Sequence, residues 1–150
     1  MNNKLVDKNL FSKLPEESQK IIETFDEIVQ RVKPLNSKQL YRMPETIKEL
    51  SHLLTDERNS RRAGYMNDVP TLSAYIRYFM WWNLVRLSPL FAGFETNPQT
   101  KQVFQNLPEN PVFLDLGSGP LTVPIALWLA CPSLRSKKLT FYCLDTSQNA

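Results

Sequence analysis

The stretch Val112-Phe113-Leu114-Asp115-Leu116-Gly117-Ser118-Gly119-Pro120 is an apolar run that ends in an acidic residue and then breaks into a Gly-x-Gly turn. A second apolar segment, Leu121 to Ala130, follows at once, so the order reads strand, turn, helix. Two turn positions without a Cβ let the chain leave the strand sharply. They also let a ligand approach main-chain N–H groups that a side chain would screen. This pattern marks a nucleotide-binding loop. A dinucleotide fingerprint requires Gly-x-Gly-x-x-Gly, and here Thr122 stands at the third glycine position, which counts against a nicotinamide cofactor. Asp115 at the strand end instead suits a ligand that carries an ammonium group and has no pyrophosphate to cradle.

Downstream, Leu139-Thr140-Phe141-Tyr142-Cys143-Leu144-Asp145 supplies a second strand that also closes on a carboxylate. Between the strands, Leu121 to Ala130 reads as a crossover helix, with Thr122 as N-cap, Pro124 near its first turn and Cys131-Pro132 closing it. Strand, helix and strand complete one βαβ unit. The stretch from Val112 to Ala150 resembles the start of the class I S-adenosylmethionine-dependent methyltransferases, whose first motif is an apolar strand, then acidic-x-Gly-x-Gly-x-Gly, then a helix. The resemblance implies a Rossmann-like domain with S-adenosyl-L-methionine as cofactor. It places Gly117, Ser118 and Gly119 around the methionine moiety, Asp115 toward its ammonium group and Asp145 on the ribose hydroxyls. One position departs from the motif, because Leu121 stands where the third glycine belongs. A leucine there crowds a close ligand unless Pro120 turns it into the helix packing, and that second arrangement is the one expected.

The expected fold class is α/β, with a helical region over residues 1–110 followed by the start of the Rossmann-like domain over 111–150. Ile21, Ile22, Phe25, Ile28, Val29 and Val32 fall on one helical stripe, opened by Leu14-Pro15-Glu16-Glu17 and ended by Pro34. A shorter helix beginning near Pro44-Glu45 buries Ile47, Leu50 and Leu54. Asp68-Val69-Pro70-Thr71 is a strong helix start, and the helix it opens is the most apolar in the chain. Trp81 and Trp82 sit about 100° apart around it, so at least two of its faces need cover. Ser88-Pro89 is expected to end it. Asn97-Pro98 opens a short helix through Phe104, and Leu107 to Pro111 is the hinge into the first strand.

Composition narrows the classes. At 150 residues the chain has a prior of about one domain, and its net charge of +3 gives no argument for a nucleic-acid partner. The N-terminus fits neither a secretory signal nor an arginine-rich transit peptide, so a cytoplasmic location is the default. Arg77, Asn83, Arg86 and Pro89 interrupt the most apolar window, Ala74 to Phe91, which makes it a poor membrane span. Cys131 and Cys143 have no metal-ligand spacing and read as buried free thiols. His52 is the only histidine, with no ligand set around it, so no metal is expected. Arg58, Arg61, Arg62 and Tyr65 are either a phosphate-contacting patch with a stacking aromatic or, the stronger reading, a solvated loop. Tyr75, Tyr78, Phe79, Trp81 and Trp82 read chiefly as core, and otherwise as a stacking surface.

Tyr41-Arg42-Met43-Pro44-Glu45-Thr46, taken with the Leu-Asp-Leu-Gly-Ser-Gly-Pro loop, is similar to the mitoribosomal small-subunit methyltransferase-like family and its bacterial relatives, which pair an Arg-Met-Pro-x-Thr helix start with such a loop. That resemblance implies ribosomal RNA or the small ribosomal subunit as partner. Two strands leave a parallel sheet uncovered, so the chain is expected to be the N-terminal part of a longer protein, inactive alone, with the catalytic residues elsewhere. The competing readings are a non-catalytic assembly or RNA-binding module that keeps the fold and, more weakly, a nicotinamide-dependent oxidoreductase.

Overall fold

The computed structural model describes residues 13–56 and 64–149. These are mainly helical, with one small parallel sheet. The helices α1 (Glu16–Glu23), α2 (Phe25–Val32) and α3 (Ser37–Thr55) come first. A 3₁₀ turn (Tyr65–Asn67) then leads into α4 (Val69–Ala74), a π-helical segment (Tyr75–Met80) and α5 (Trp81–Thr96), three pieces of one uninterrupted helical run. After α6 (Lys101–Gln105) the chain enters β1 (Val112–Leu116), α7 (Thr122–Ala130), α8 (Pro132–Arg135) and β2 (Thr140–Leu144). The two strands pair in parallel, with Asp115 opposite Cys143 and Leu116 opposite Leu144. Helices and a parallel strand pair therefore coexist as expected, and the strands lie where the apolar runs put them.

The long helical run is the spine. Met80 and Leu84 pack with Ile22 of α1, Phe25 of α2, and Ala126 and Leu129 of α7, forming one core cluster. The most apolar helix is thus covered on two sides, as its sequence requires. Trp81 fixes one side by donating Nε1–H to the Ile22 carbonyl at 2.9 Å. Trp82, its neighbour around the helix, stays 39% exposed. A second cluster of Ala92, Leu127, Ala130, Cys131 and Leu134 joins α5 to α7 and α8.

Two arginines clamp these layers. The side chain of Arg77 is 4% exposed and pairs with Asp26, while its Nη2 donates to Gln30 Oε1 at 2.6 Å. A residue that looked like an interruption of the apolar helix therefore ties it to α2. Arg135 donates to the carbonyls of Trp128 and Leu129 and to Ser18 Oγ, and pairs with Glu17. Its guanidinium also lies 4.5 Å from the Trp128 ring centroid, which welds α8 to α1 and α7.

Proline signals account for most of the boundary differences. The helix expected to start near Pro44 begins at Ser37 instead, because Asn36 and Gln39 form a reciprocal capping box. Pro44 then lies inside α3, where its missing N–H deprives the carbonyl of exposed Leu40, which water can serve. The Arg-Met-Pro-x-Thr stretch is therefore mid-helix. Pro89 likewise lies inside α5, which runs on to Thr96 because its far half packs on α7 and α8. The first stripe is two helices: Thr24 leaves helical geometry and bonds back to the Lys20 carbonyl through both N–H and Oγ1.

Cys131 is fully buried, with its Sγ 3.8 Å from the Phe91 carbonyl oxygen, while Cys143 is half-buried. Burial pushes the Cys131 thiol up to about 12, with Glu95 adding to the rise and Arg135 opposing it. In a Cys143→Ser background, a thiol reagent at neutral pH should leave Cys131 unlabelled until denaturant is added. The folded state keeps a proton that the unfolded chain gives up near about pH 8.5, so stability should fall as pH rises from there toward 12.

Among the described residues, no helix is long and apolar enough to cross a membrane.

Candidate cofactor-binding site

Three consecutive N–H groups leave β1 and turn toward β2. Gly117 and Ser118 donate to the Leu144 carbonyl at 2.7 and 3.2 Å, and Gly119 donates to Asp145 Oδ2 at 2.9 Å. Asp145 Oδ1 accepts from the Ser147 N–H at 2.8 Å, so this carboxylate ties the glycine turn to the loop after β2. The sequence suggested that these amides would face a ligand; the last carbonyl of β2 and the Asp145 carboxylate claim them instead. A ligand would thus meet the glycine Cα surfaces and the remaining lone pairs of Asp145.

Backbone angles carry the motif one position past its glycines. Gly117 and Gly119 have φ of 71° and 51°, in the left-handed region that favours glycine. Leu121, at the third glycine position, has φ 63° and ψ 36°. The chain therefore keeps the turn of the glycine-rich motif while placing a leucine in it, at a strain of roughly 1–2 kcal/mol. Leu121, rather than Thr122, is the N-cap residue of α7, and no side chain caps that end. Thr122 is the first residue of the helix and is buried. Leu121 is 45% exposed, so its side chain is not absorbed into the helix packing as expected. Leu121→Gly should stabilise the fold. Relief of the left-handed strain exceeds the added entropy cost of glycine by about 0.5–1 kcal/mol, which raises Tm by roughly 1–4 °C in a thermal melt.

A cleft of about 490 Å³ opens beside the turn, lined by Gly117, Gly119, Leu144, Asp145 and Thr146 from the strand ends and by Tyr65, Met66 and Tyr75 from the helical region. No alanine methyl at Gly117 would meet another atom within 4 Å, so the missing side chain leaves open space on the cleft wall. Ser118 is buried and does not line the cleft. Asp115 does not line the cleft either, and its Oδ2 is buried without a hydrogen-bond partner. Its carboxyl titrates above the ordinary range, first because it is desolvated and then because Asp145 repels its charge. A raised carboxyl pKa means the folded state holds its proton longer than the unfolded chain. The fold is therefore favoured at low pH and loses that contribution as pH climbs through the Asp115 titration, and Asp115→Asn should remove this part of the pH dependence of stability.

No family model, curated protein or solved structure matches this chain. What the site can do thus rests on its own geometry. A carboxylate on the cleft wall, a second carboxylate close enough to repel it and an open glycine surface favour a cationic ligand. A pyrophosphate would meet two like charges there.

Of the residues expected at the site, Gly117, Gly119 and Asp145 line one cleft, while Ser118 and Asp115 do not. Sequence reasoning missed Met66, and it assigned Tyr75 chiefly to the core and Tyr65 to an arginine loop; Arg58, Arg61 and Arg62 lie outside the described residues. The available signal was Gly64 followed four residues later by the Asp68 cap. Gly64 has φ 74°, and Asp68 accepts from the Thr71 N–H at 3.0 Å, so the Tyr65–Asn67 turn is fixed at both ends. His52 faces Asp56 across one helical turn. A second cleft of about 310 Å³ lies between α3 and the start of α4, lined in part by Arg42, Met43, Glu45 and Thr46. Its rim mixes Arg42 with Glu45, Glu49 and Asp68 and so selects no single ligand charge.

Proposed function

We propose that the cleft is the cofactor half-site of an S-adenosylmethionine-dependent methyltransferase with a Rossmann-like domain, acting in the cytoplasm. The observation that carries this reading is the Asp145 carboxylate on the wall of a cleft whose glycine surface is open, with the Asp115 carboxylate close enough to repel it. Two such groups repel each other and call for a cation, and the cofactor brings an ammonium and a sulfonium. Gly117 and Gly119 leave room for the methionine moiety, and Asp145 keeps lone pairs for the ribose hydroxyls while holding the turn. Bound there, the cofactor would supply an electrophilic methyl group. The chain's own residues bind and orient, and none of them is required as an acid or base.

For the acceptor, we propose RNA of the small ribosomal subunit, on the sequence resemblance carried by Arg42-Met43-Pro44-Glu45-Thr46 and the glycine turn. The second reading, a non-catalytic assembly or RNA-binding module, draws support from the turn amides already spent on Leu144 and Asp145. A nicotinamide-dependent activity has no such support, since Thr122 fills the third glycine position and both nearby carboxylates oppose a pyrophosphate. Calorimetric titration of the full-length protein with S-adenosylmethionine, S-adenosylhomocysteine and NADH separates the three. Saturable heat with the first two supports the methyltransferase reading. No heat at millimolar concentration overturns it in favour of the non-catalytic module, and binding of NADH alone overturns both.

A further inference from the structure

The cleft between α3 and the start of α4 shares no lining residue with the cleft at the glycine turn. Each of its walls is fixed where a helix begins: α3 by the Asn36–Gln39 capping box, and α4 by Asp68, which accepts from both the N–H and the Oγ1–H of Thr71. The buried residues of the lining, Leu35 and Ser73, form its floor, and half-buried Met43 adds apolar area. Leu35 is pinned through its backbone. Its N–H donates to Gln30 Oε1 at 3.2 Å and its carbonyl accepts from Gln30 Nε2 at 2.9 Å, while Arg77 holds Gln30 in turn. Ser73 is 3% exposed, and its Oγ has no hydrogen-bond partner among the described residues. A buried hydroxyl left unpaired on a cleft wall calls for a partner from within the cleft.

The rim carries both signs of charge. Arg42, Glu45 and Glu49 stand at i, i+3 and i+7 of α3, on one face of the helix, and all three are exposed. Arg42 and Glu45 are one turn apart, yet among the described residues neither is in an ion pair. A rim that selects no single charge suits a ligand that bears both on neighbouring atoms, and a volume of about 310 Å³ lies at the small end of ligand sites. We propose that this cleft binds a free α-amino acid with an apolar side chain. The ligand carboxylate is held between the Arg42 guanidinium and the Ser73 hydroxyl, its ammonium faces Glu45, and its side chain packs against Leu35 and Met43.

The test titrates the full-length protein with L-leucine, L-methionine and L-phenylalanine by calorimetry. For whichever binds most tightly, it adds the amine and the carboxylate that keep the side chain but lose one charge, and the N-acetyl amide that loses both. One of the amino acids should bind saturably, with each of the three altered probes weaker by about 10-fold or more. Arg42→Gln and Glu45→Gln should each weaken binding by about 10-fold, and Ser73→Ala by about 2- to 10-fold, with thermal melts verifying that each variant folds. If Ser73→Ala does not fold, the two rim variants and the ranking of the probes decide. A single-charge probe that binds as well as the amino acid overturns the inference. So does tighter binding of the N-acetyl amide, which assigns the cleft to peptide segments, and so does the absence of saturable heat at millimolar concentration. The cofactor reading stands or falls separately, since it concerns the other cleft.

Discussion

Leu84→Ala lowers the unfolding free energy by about 3–5 kcal/mol, the largest stability loss expected of a single side chain here. Leu84 is fully buried in the cluster where α1, α2 and α7 meet the long helical run. Removing its isobutyl group forfeits apolar burial and leaves a cavity that four separately anchored elements cannot collapse into. The Arg77 clamp to α2 and the Arg135 clamp from α8 to α1 hold those elements apart. Urea or guanidinium melts followed by circular dichroism measure the loss as a lower midpoint with an unchanged slope. Trp82→Ala, on the 39% exposed side of the same helix, should cost far less despite deleting more atoms. Equal losses for the two would refute the proposed location of the core.

Asp145→Ala should weaken S-adenosylmethionine binding by roughly 10- to 150-fold, the range for losing a hydrogen bond to a charged group. The carboxylate does two jobs: it is the negative charge on the cleft wall, and it accepts the N–H groups of Gly119 and Ser147. Asp145→Asn separates them, because the amide oxygen can still accept one of those bonds while the charge is gone. If binding depends on charge, Asn should resemble Ala in affinity while keeping more of the native stability. If the residue only orders the turn, Asn should recover most of the affinity. Calorimetry alongside thermal melts reads both quantities on the same samples, and unchanged affinity in both variants would remove Asp145 from the site.

How far these features could be read from the residues alone depends on the range of the physics behind them. The strands and the turn were legible because their signals are local: short apolar runs of leucine and aromatic residues, a carboxylate, and glycines where φ turns positive. Asp68 likewise announced its helix through contacts within one turn. Pro44 and Pro89 misled, since a proline's cost in a helix is local while the compensation at Pro89 is packing against α7 and α8. Arg77 was opaque for the same reason, as its partners Asp26 and Gln30 are some fifty positions away. At the cleft, the half built from consecutive residues was visible, and the half contributed by Tyr65, Met66 and Tyr75 was not. Nothing near those three residues states that the Asn67–Asn149 bonds will bring them to the glycine turn. Leu121 was legible as a departure, but whether the backbone would abandon the left-handed turn or force leucine into it required the three-dimensional answer.

The π-helical segment from Tyr75 to Met80 acts as a phase adjuster along the spine. Its wider turn absorbs one residue more than an α-helix would, so everything before it is rotated relative to everything after it by about 100°. On one side of that offset stand the Asp68 cap and the approach to the cleft; on the other stand Leu84 and the packing against α7. A straight α-helix could satisfy one of these demands but not both, so a one-residue deletion here would put the core and the cleft out of register while leaving each locally intact.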